Sequence, residues 1–258
     1  MNEKSIRMIL SDVDGTLLPA GETKVLDEVF SAIRAAKDKG IEVVLASGRN
    51  YPDLSSLFSP VKHLVTFVCC DGTVAVKNDE VLFHAPIEKK DTLPFFDPSL
   101  YSENEAMVIV TKDRLYSFGN APTDFKSVIP ISSPDEISGQ VLKLTFFGLS
   151  ELHKIKVKSL AASRGKFTEV YGGNKWLEFN PKGIHKGTAC SALQKALGIS
   201  PFETAAFGDN LNDLEMLRCA TNSYSAPGAK QEITSMCKYR TENVAAEILN
   251  LAQERGTL

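Results

Sequence analysis

Long apolar runs are missing from this chain of 258 residues: no stretch approaches the ~18 consecutive residues a membrane-spanning helix needs. An excess of one charge is missing too. Lys plus Arg number 29 against 32 Asp plus Glu, a net charge of −3, which argues against the basic footprint of a nucleic-acid-binding protein. Cysteine is scarce and odd in number: Cys69, Cys70, Cys190, Cys219 and Cys237, with no C-x-x-C spacing. That pattern suggests neither a disulfide framework nor a thiolate zinc site, and these residues read as small buried side chains in a reducing compartment. The four histidines, His63, His84, His153 and His185, lack metal-ligand spacing and read as surface or core residues. The single tryptophan, Trp176, reads as a core anchor. Residues 1–5 lack the apolar stretch and cleavage site of a secretion signal, so a cytoplasmic protein is expected. Neither an internal repeat nor a low-complexity segment is present. What remains is ordinary globular composition, 43% hydrophobic and 24% charged, with enough chain for one large domain or two moderate ones.

The most informative stretch is Met8 to Leu18. Met8, Ile9 and Leu10 read as a buried strand that ends in two acids, Asp12 and Asp14, followed by Gly15. Two carboxylates this close repel unless a cation or a proton neutralises them. Oxygen ligands of this kind suit Mg²⁺, and ligands of open α/β sheets bind at the carboxyl ends of strands. Taken alone, Asp-x-Asp-Gly is equally a polar turn.

A helix over 22–39 follows, with Val25, Val29, Ile33 and Ala36 in one stripe and Gly40 as its stop. Ile41–Ala46 is a strand, so the first 46 residues form a βαβ unit with parallel neighbours. The second strand ends at Ser47-Gly48-Arg49, a hydroxyl, a glycine amide and a guanidinium that together suit a phosphate; a small polar turn is the plainer reading. A helix over 51–58 and a third strand, Leu64–Cys70, lead to Asp71-Gly72-Thr73 and a hairpin over 74–84. The pattern changes near residue 85. Strands are expected at 106–111, 115–118, 141–147, 167–170 and 176–179, and helices at 122–128 and 150–163. In the second helix Leu152, Ile155 and Leu160 supply the apolar side and Lys154, Lys156 and Lys158 the solvated one. Residues 85–180 therefore read as an inserted α+β domain between two core segments, 1–84 and 181–258. In the second core segment a helix runs from Lys186 to Leu197, capped by Gly198. The strand Thr204–Phe207 ends at Gly208-Asp209-Asn210-Leu211-Asn212-Asp213, and a helix at 212–219, a strand at 223–226 and helices at 228–235 and 243–254 close the chain.

Polar groups thus sit at four strand ends or helix starts: Asp12 and Asp14, Ser47, Lys186, and Asp209, Asn212 and Asp213. In a parallel sheet these share one edge, and the mix suits metal-assisted phosphoryl transfer. The four motifs, Asp12-Val13-Asp14-Gly15-Thr16-Leu17, Ser47-Gly48-Arg49, Lys186-Gly187 and Gly208–Asp213, resemble in order and spacing those of the haloacid dehalogenase (HAD) superfamily. The insertion between the second and third resembles the C2-type cap of the Cof subfamily. The resemblance covers the whole chain and implies a Rossmann-like α/β core of parallel strands with an inserted α+β cap that closes over the core and selects the substrate. It also implies that Asp12 is a nucleophile forming an aspartyl-phosphate and that Asp14 is the general acid and base. Mg²⁺ would be bound by Asp12, the Asp14 main-chain carbonyl and Asp209, with Asp213 supporting its water. Ser47, Gly48, Lys186 and Asn212 would hold phosphoryl oxygens, Thr16 and Arg49 would support the site, and Lys186 would keep Asp12 ionised.

The chain departs from the family where relatives often carry Asn-Gly-Ala after the third strand. Here it is Asp71-Gly72-Thr73, which reads as lying outside the chemistry and at most altering substrate contacts near the cap. Glu242-Asn243-Val244 and Ser225–Ala229 also differ from the commoner patterns. The expected activity is a Mg²⁺-dependent phosphatase of a small phosphorylated metabolite. A phosphomutase that returns the phosphoryl group, and a non-catalytic binding module on the same scaffold, are the alternatives. A membrane pump is excluded by the missing spans, and a receiver domain is disfavoured by Asp14 and by the length.

Overall fold

The computed structural model describes residues 5–120, 127–170 and 176–254. It divides into two compact units, residues 1–84 with 185–258, and residues 85–184. In chain order the first core segment holds β1 (Met8–Asp12), α1 (Asp27–Asp38), β2 (Glu42–Ala46), α2 (Tyr51–Leu57), β3 (Val65–Cys69), β4 (Val74–Lys77) and β5 (Glu80–His84). The inserted segment holds α3 (Lys89–Thr92), β6 (Ala106–Val110), β7 (Leu115–Gly119), β8 (Val128–Pro130), β9 (Lys143–Phe147), α4 (Glu151–Arg164), β10 (Phe167–Val170) and β11 (Trp176–Pro181). The core resumes with α5 (Lys186–Leu197), β12 (Thr204–Gly208), α6 (Leu214–Leu217), β13 (Asn222–Ser225), α7 (Gln231–Met236), β14 (Tyr239–Arg240) and α8 (Val244–Glu254).

Among the described residues the core sheet has eight strands in the order β14-β13-β12-β1-β2-β3-β4-β5. The first six are parallel, and β4 and β5 extend the sheet as an antiparallel hairpin. The hairpin turns at Asn78 and Asp79, both at positive φ (50° and 66°), the left-handed backbone that two-residue hairpin turns require. Strands β1, β3 and β12 are buried at every position, as parallel strands covered on both faces must be. On one face Met8 and Leu10 pack with Val44, Ala46, Ala189, Leu193, Ala206 and Met216. Full burial of one such side chain stabilises by about 1.5–3 kcal/mol. The register sets Asp12 opposite Ala46, so Ser47 leaves β2 beside Asp12. The sheet order reverses at β1: β2 and β3 lie to one side, β12 and β13 to the other. Such a switch point leaves a crevice at the strand ends, where ligands bind.

The inserted unit has, among its described residues, a six-stranded sheet in the order β10-β11-β9-β6-β7-β8. Phe95, Phe146, Tyr116 and Phe179 form its core, together with Val157 and Ala161 of α4. This is the α+β make-up of a C2-type cap.

Several elements differ from the sequence expectation. Helix α1 starts at Asp27 rather than residue 22, because Leu26 is extended and the acids Asp27 and Glu28 occupy the first turn, where the helix dipole favours them. In α4 the inward stripe is Val157 and Ala161, an i, i+4 pair, while Leu152 and Ile155 are exposed. The helix expected at 212–219 is a 3₁₀ turn, Leu211–Asp213, followed by α6. The helix expected at 122–128 falls largely on 121–126, outside the described residues, and residue 128 begins β8. Strands β8 and β14 have no sequence signature, being three and two residues long.

A buried carboxylate ties the start of α4 to the loop before β6. Glu105 accepts hydrogen bonds from the backbone N–H groups of Ser102 (2.7 Å) and Ser150 (2.6 Å) and lies 2.5 Å from His153 Nδ1. Burial alone would raise its pKa, but the Ser150 N–H, His153 and the Ser102 N–H outweigh burial and bring it down to about 2. A lowered carboxylate pKa stabilises the fold above the unfolded-state value and ceases to do so as pH falls through the folded-state value. Glu105→Gln is expected to cost about 2–3 kcal/mol at pH 7, as charge-assisted hydrogen bonds are lost. The gap from wild type should shrink as pH falls from about 4.5 toward 2. Urea unfolding followed by the fluorescence of Trp176, which lies in β11, measures both effects.

Candidate active site

The carboxyl ends of β1, β2, β3 and β12 converge with the start of α5. Asp12, the last residue of β1, is 4% exposed. Its Oδ1 accepts from Lys186 Nζ at 2.5 Å, and the same ammonium donates to Asp213 Oδ1 at 2.7 Å. Lys186 is the first residue of α5 and is 1% exposed. Asp213 turns its other oxygen to the backbone N–H groups of Asp209 (3.1 Å) and Asn210 (3.0 Å), which fixes the turn after β12. Asp209 Oδ1 accepts from the Thr16 hydroxyl at 3.0 Å. Gly15 has φ +97°, and a Cβ there would fall 2.5 Å from Asp209 Oδ2, so a larger residue would displace that carboxylate.

One oxygen each of Asp12, Asp209 and Asp213 lie within 4.8 Å of one another. Like charges about 4 Å apart repel by about 4 kcal/mol at an effective dielectric of about 20. Burial, with the Asp213 charge adding to it and Lys186 opposing, raises the Asp12 pKa well above the usual carboxylate range. Burial and Asp213 likewise raise Asp209. Burial works against the Lys186 charge, but Asp12, Asp213 and Asp71 outweigh it and raise the lysine pKa. One ammonium, paired with Asp12 and Asp213, does not balance the three acids of the cluster. Asp12 Oδ2 is buried without a hydrogen-bond partner among the described residues. An all-oxygen donor set with an unused buried oxygen and too little positive charge to balance its acids fits a divalent cation of the Mg²⁺ type.

The Asp14 carboxylate is not part of this cluster. It meets Arg49 through Nε (3.0 Å to Oδ2) and Nη2 (2.6 Å to Oδ1), and accepts from Ser47 Oγ at 3.1 Å. Ser47 is buried, and its hydroxyl also accepts from the Arg49 N–H at 3.2 Å. Gly48 lies against Asp71, and Asn212 donates from Nδ2 to Asp71 Oδ1 at 3.1 Å. Asp12, Asp14, Thr16, Ser47, Gly48, Arg49, Lys186, Asp209, Asn212 and Asp213 all lie at this sheet edge. The carboxylate set that can share an ion takes in Asp213, while the Asp14 side chain is engaged with Arg49 and Ser47.

One expectation is corrected. Asp71 does not stand outside the site: it is 3% exposed, at φ +53°, and its carboxylate touches Asn212. The signal was available, because Asp71 comes just after a strand, as Asp209 does.

The chain matches the haloacid dehalogenase-like hydrolase family over residues 9–247. It belongs to that family. The Escherichia coli 5-amino-6-(5-phospho-D-ribitylamino)uracil phosphatase YbjI is 27% identical over 248 residues, 92% of this chain and 90% of YbjI. A crystal structure from Eubacterium rectale superposes with a TM-score of 0.82 at 27% identity, covering 98% of this chain and 99% of the other. The HAD subclass IIB sugar phosphatase BT4131 shares the fold, with a TM-score of 0.76 at 20% identity over 97% of this chain and 99% of that one. The protein is thus a HAD-superfamily hydrolase of the phosphoric-monoester class. Among its described residues no helix is long and apolar enough to cross a membrane.

Removing one partner from a buried ion pair leaves an uncompensated charge. Lys186→Met is therefore expected to lower unfolding free energy at pH 7 by about 3–5 kcal/mol. Millimolar Mg²⁺, which can take up the charge of the same carboxylates, should recover part of that loss. Urea unfolding with and without the ion tests both.

Proposed function

We propose that this protein is a Mg²⁺-dependent phosphatase that hydrolyses a small phosphomonoester through an aspartyl-phosphate on Asp12. The observation that carries the reading is Asp12 itself, a buried carboxylate with one oxygen on Lys186 and the other without a partner. Asp12, Asp209 and Asp213 would hold the cation, with the Asp14 main-chain carbonyl as the further ligand the family implies. When bound, the ion supplies charge neutralisation of the phosphoryl oxygens.

A carboxylate oxygen of Asp12 attacks phosphorus as the ester P–O bond breaks. Asp14 gives a proton to the leaving oxygen, then takes one from the water that attacks the aspartyl-phosphate. Inorganic phosphate leaves and Asp12 is regenerated. Lys186 holds the Asp12 carboxylate in place and offsets charge at the transferring group. Ser47 and Arg49 are bonded to Asp14 in the free protein. On binding, a phosphoryl group would draw these donors to its own oxygens and free the Asp14 carboxylate for proton transfer. The Gly48 N–H and the Asn212 amide complete the set of donors. The substrate class best supported is a phosphate ester on a polyol or sugar chain, because YbjI is named for a phosphorylated ribitylamino compound.

Free phosphate should be released from such esters with Mg²⁺ and not with excess chelator. Asp12→Asn should lower kcat by at least about 10³-fold, as expected when a covalent nucleophile is lost. Isomerised sugar phosphate in place of free phosphate would identify a mutase instead. Full activity of Asp12→Asn would sink the proposal.

A further inference from the structure

The turn Cys70–Gly72 after β3 is built into three of the site's elements. The Asp71 N–H donates to the Ser47 carbonyl (3.0 Å) and the Cys70 N–H to the Arg49 carbonyl (2.9 Å), which fixes the Ser47–Arg49 turn. A Cβ at Gly72, at φ +98°, would fall 2.1 Å from the His185 carbonyl oxygen, so only glycine lets this turn lie against the start of α5. The Asp71 side chain reaches the third element, accepting from Asn212 Nδ2 at 3.1 Å. Its Oδ2 lies where a Cβ on Gly48 would come within 3.0 Å, so the absence of a side chain at Gly48 makes room for it.

We propose that Asp71 is a positioning residue that fixes the orientation of the Asn212 side-chain amide and so the donor that amide offers to a phosphoryl oxygen. The inference rests on the phosphate-holding role of Asn212 proposed above. An ionised carboxylate only accepts hydrogen bonds. The face of Asn212 toward Asp71 must therefore be the NH₂, and one N–H is committed there. The orientation of the amide follows from that bond, and the second N–H is presented in a set direction. An asparagine at position 71 can donate as well as accept. Asn212 could then turn over and present its oxygen, which repels a phosphate. Asp71 is buried and its bond to Asn212 is part-buried, so a carboxylate left facing the amide oxygen would have little water to turn to. Asp71 touches neither substrate nor metal in this account; beside the effect of its charge on Lys186, its side chain acts through Asn212.

The test is a double-mutant cycle on the full chain with its best phosphomonoester and Mg²⁺. It reads kcat, KM and the inhibition constant of inorganic phosphate for wild type, Asn212→Ala, Asp71→Asn and the pair. Asn212→Ala should lower kcat/KM by about 10- to 100-fold, the scale of a hydrogen bond to a charged group. Asp71→Asn should lower it by about 5- to 20-fold, through KM and the phosphate inhibition constant, with kcat changing less than about threefold. In the Asn212→Ala background Asp71→Asn should change kcat/KM by less than about twofold, because residues that act through one another are not additive. An Asp71→Asn penalty of the same size in both backgrounds overturns the proposal while leaving Asn212's role intact. So does an Asp71→Asn chain with wild-type kinetic constants and only a lower unfolding midpoint. An Asn212→Ala chain with wild-type constants overturns the assignment to Asn212 and the proposal with it. Loss of the underlying phosphatase reading is seen separately, as full turnover by Asp12→Asn.

Discussion

A single buried ammonium makes the site possible. Lys186 Nζ lies between Asp12 Oδ1 and Asp213 Oδ1, and both carboxylates are almost fully shielded from water. Burial and mutual repulsion raise the pKa values of Asp12 and Asp209 among three acids within 4.8 Å of one another, and Lys186 is the charge that opposes this. One ammonium does not balance three acids, and that shortfall of positive charge is what suits the cluster to the divalent ion proposed for it. Asp213 has two tasks: one oxygen steadies Lys186 and the other caps the turn that carries Asp209. The electrostatics of the site and the local fold of the loop after β12 are therefore one arrangement.

The sheet makes this arrangement geometrically cheap. Because β1 has parallel neighbours on both sides, the chain leaves β2 and β12 at the same edge as Asp12. Glycines then allow the close approaches that follow, Gly15 against Asp209 and Gly72 against the start of α5. Segments nearly 200 positions apart in the chain, as in the Thr16–Asp209 hydrogen bond, meet through backbone placement before any side chain contributes.

Much of this was legible in the sequence, because the core strands announce themselves as short apolar runs with Asp, Ser or Gly at or just past their ends. The polar residues at those ends, from Asp12 to Asp213, come together where a parallel sheet requires. What the sequence concealed has physical causes. Strands β8 and β14 are too short to carry a period, and β14 at the sheet edge is exposed, so no hydrophobic pattern marks it. The inward face of α4 is made by Val157 and Ala161, while Leu152 and Ile155 point outward, a choice made by tertiary packing and not by apolar content. Asp71 was visible as a departure from the family pattern, but only its left-handed backbone and its contact with Asn212 place it inside the site.

The most direct test of the central claim is chemical trapping at Asp12. The full-length protein would be mixed with Mg²⁺ and a ³²P-labelled phosphomonoester that it turns over. It would then be quenched in acid within one turnover and mapped by proteolysis. The account predicts acid-stable, base-labile label on the peptide that contains Asp12. Rapid turnover with no labelled protein, or label on any other residue, would contradict it.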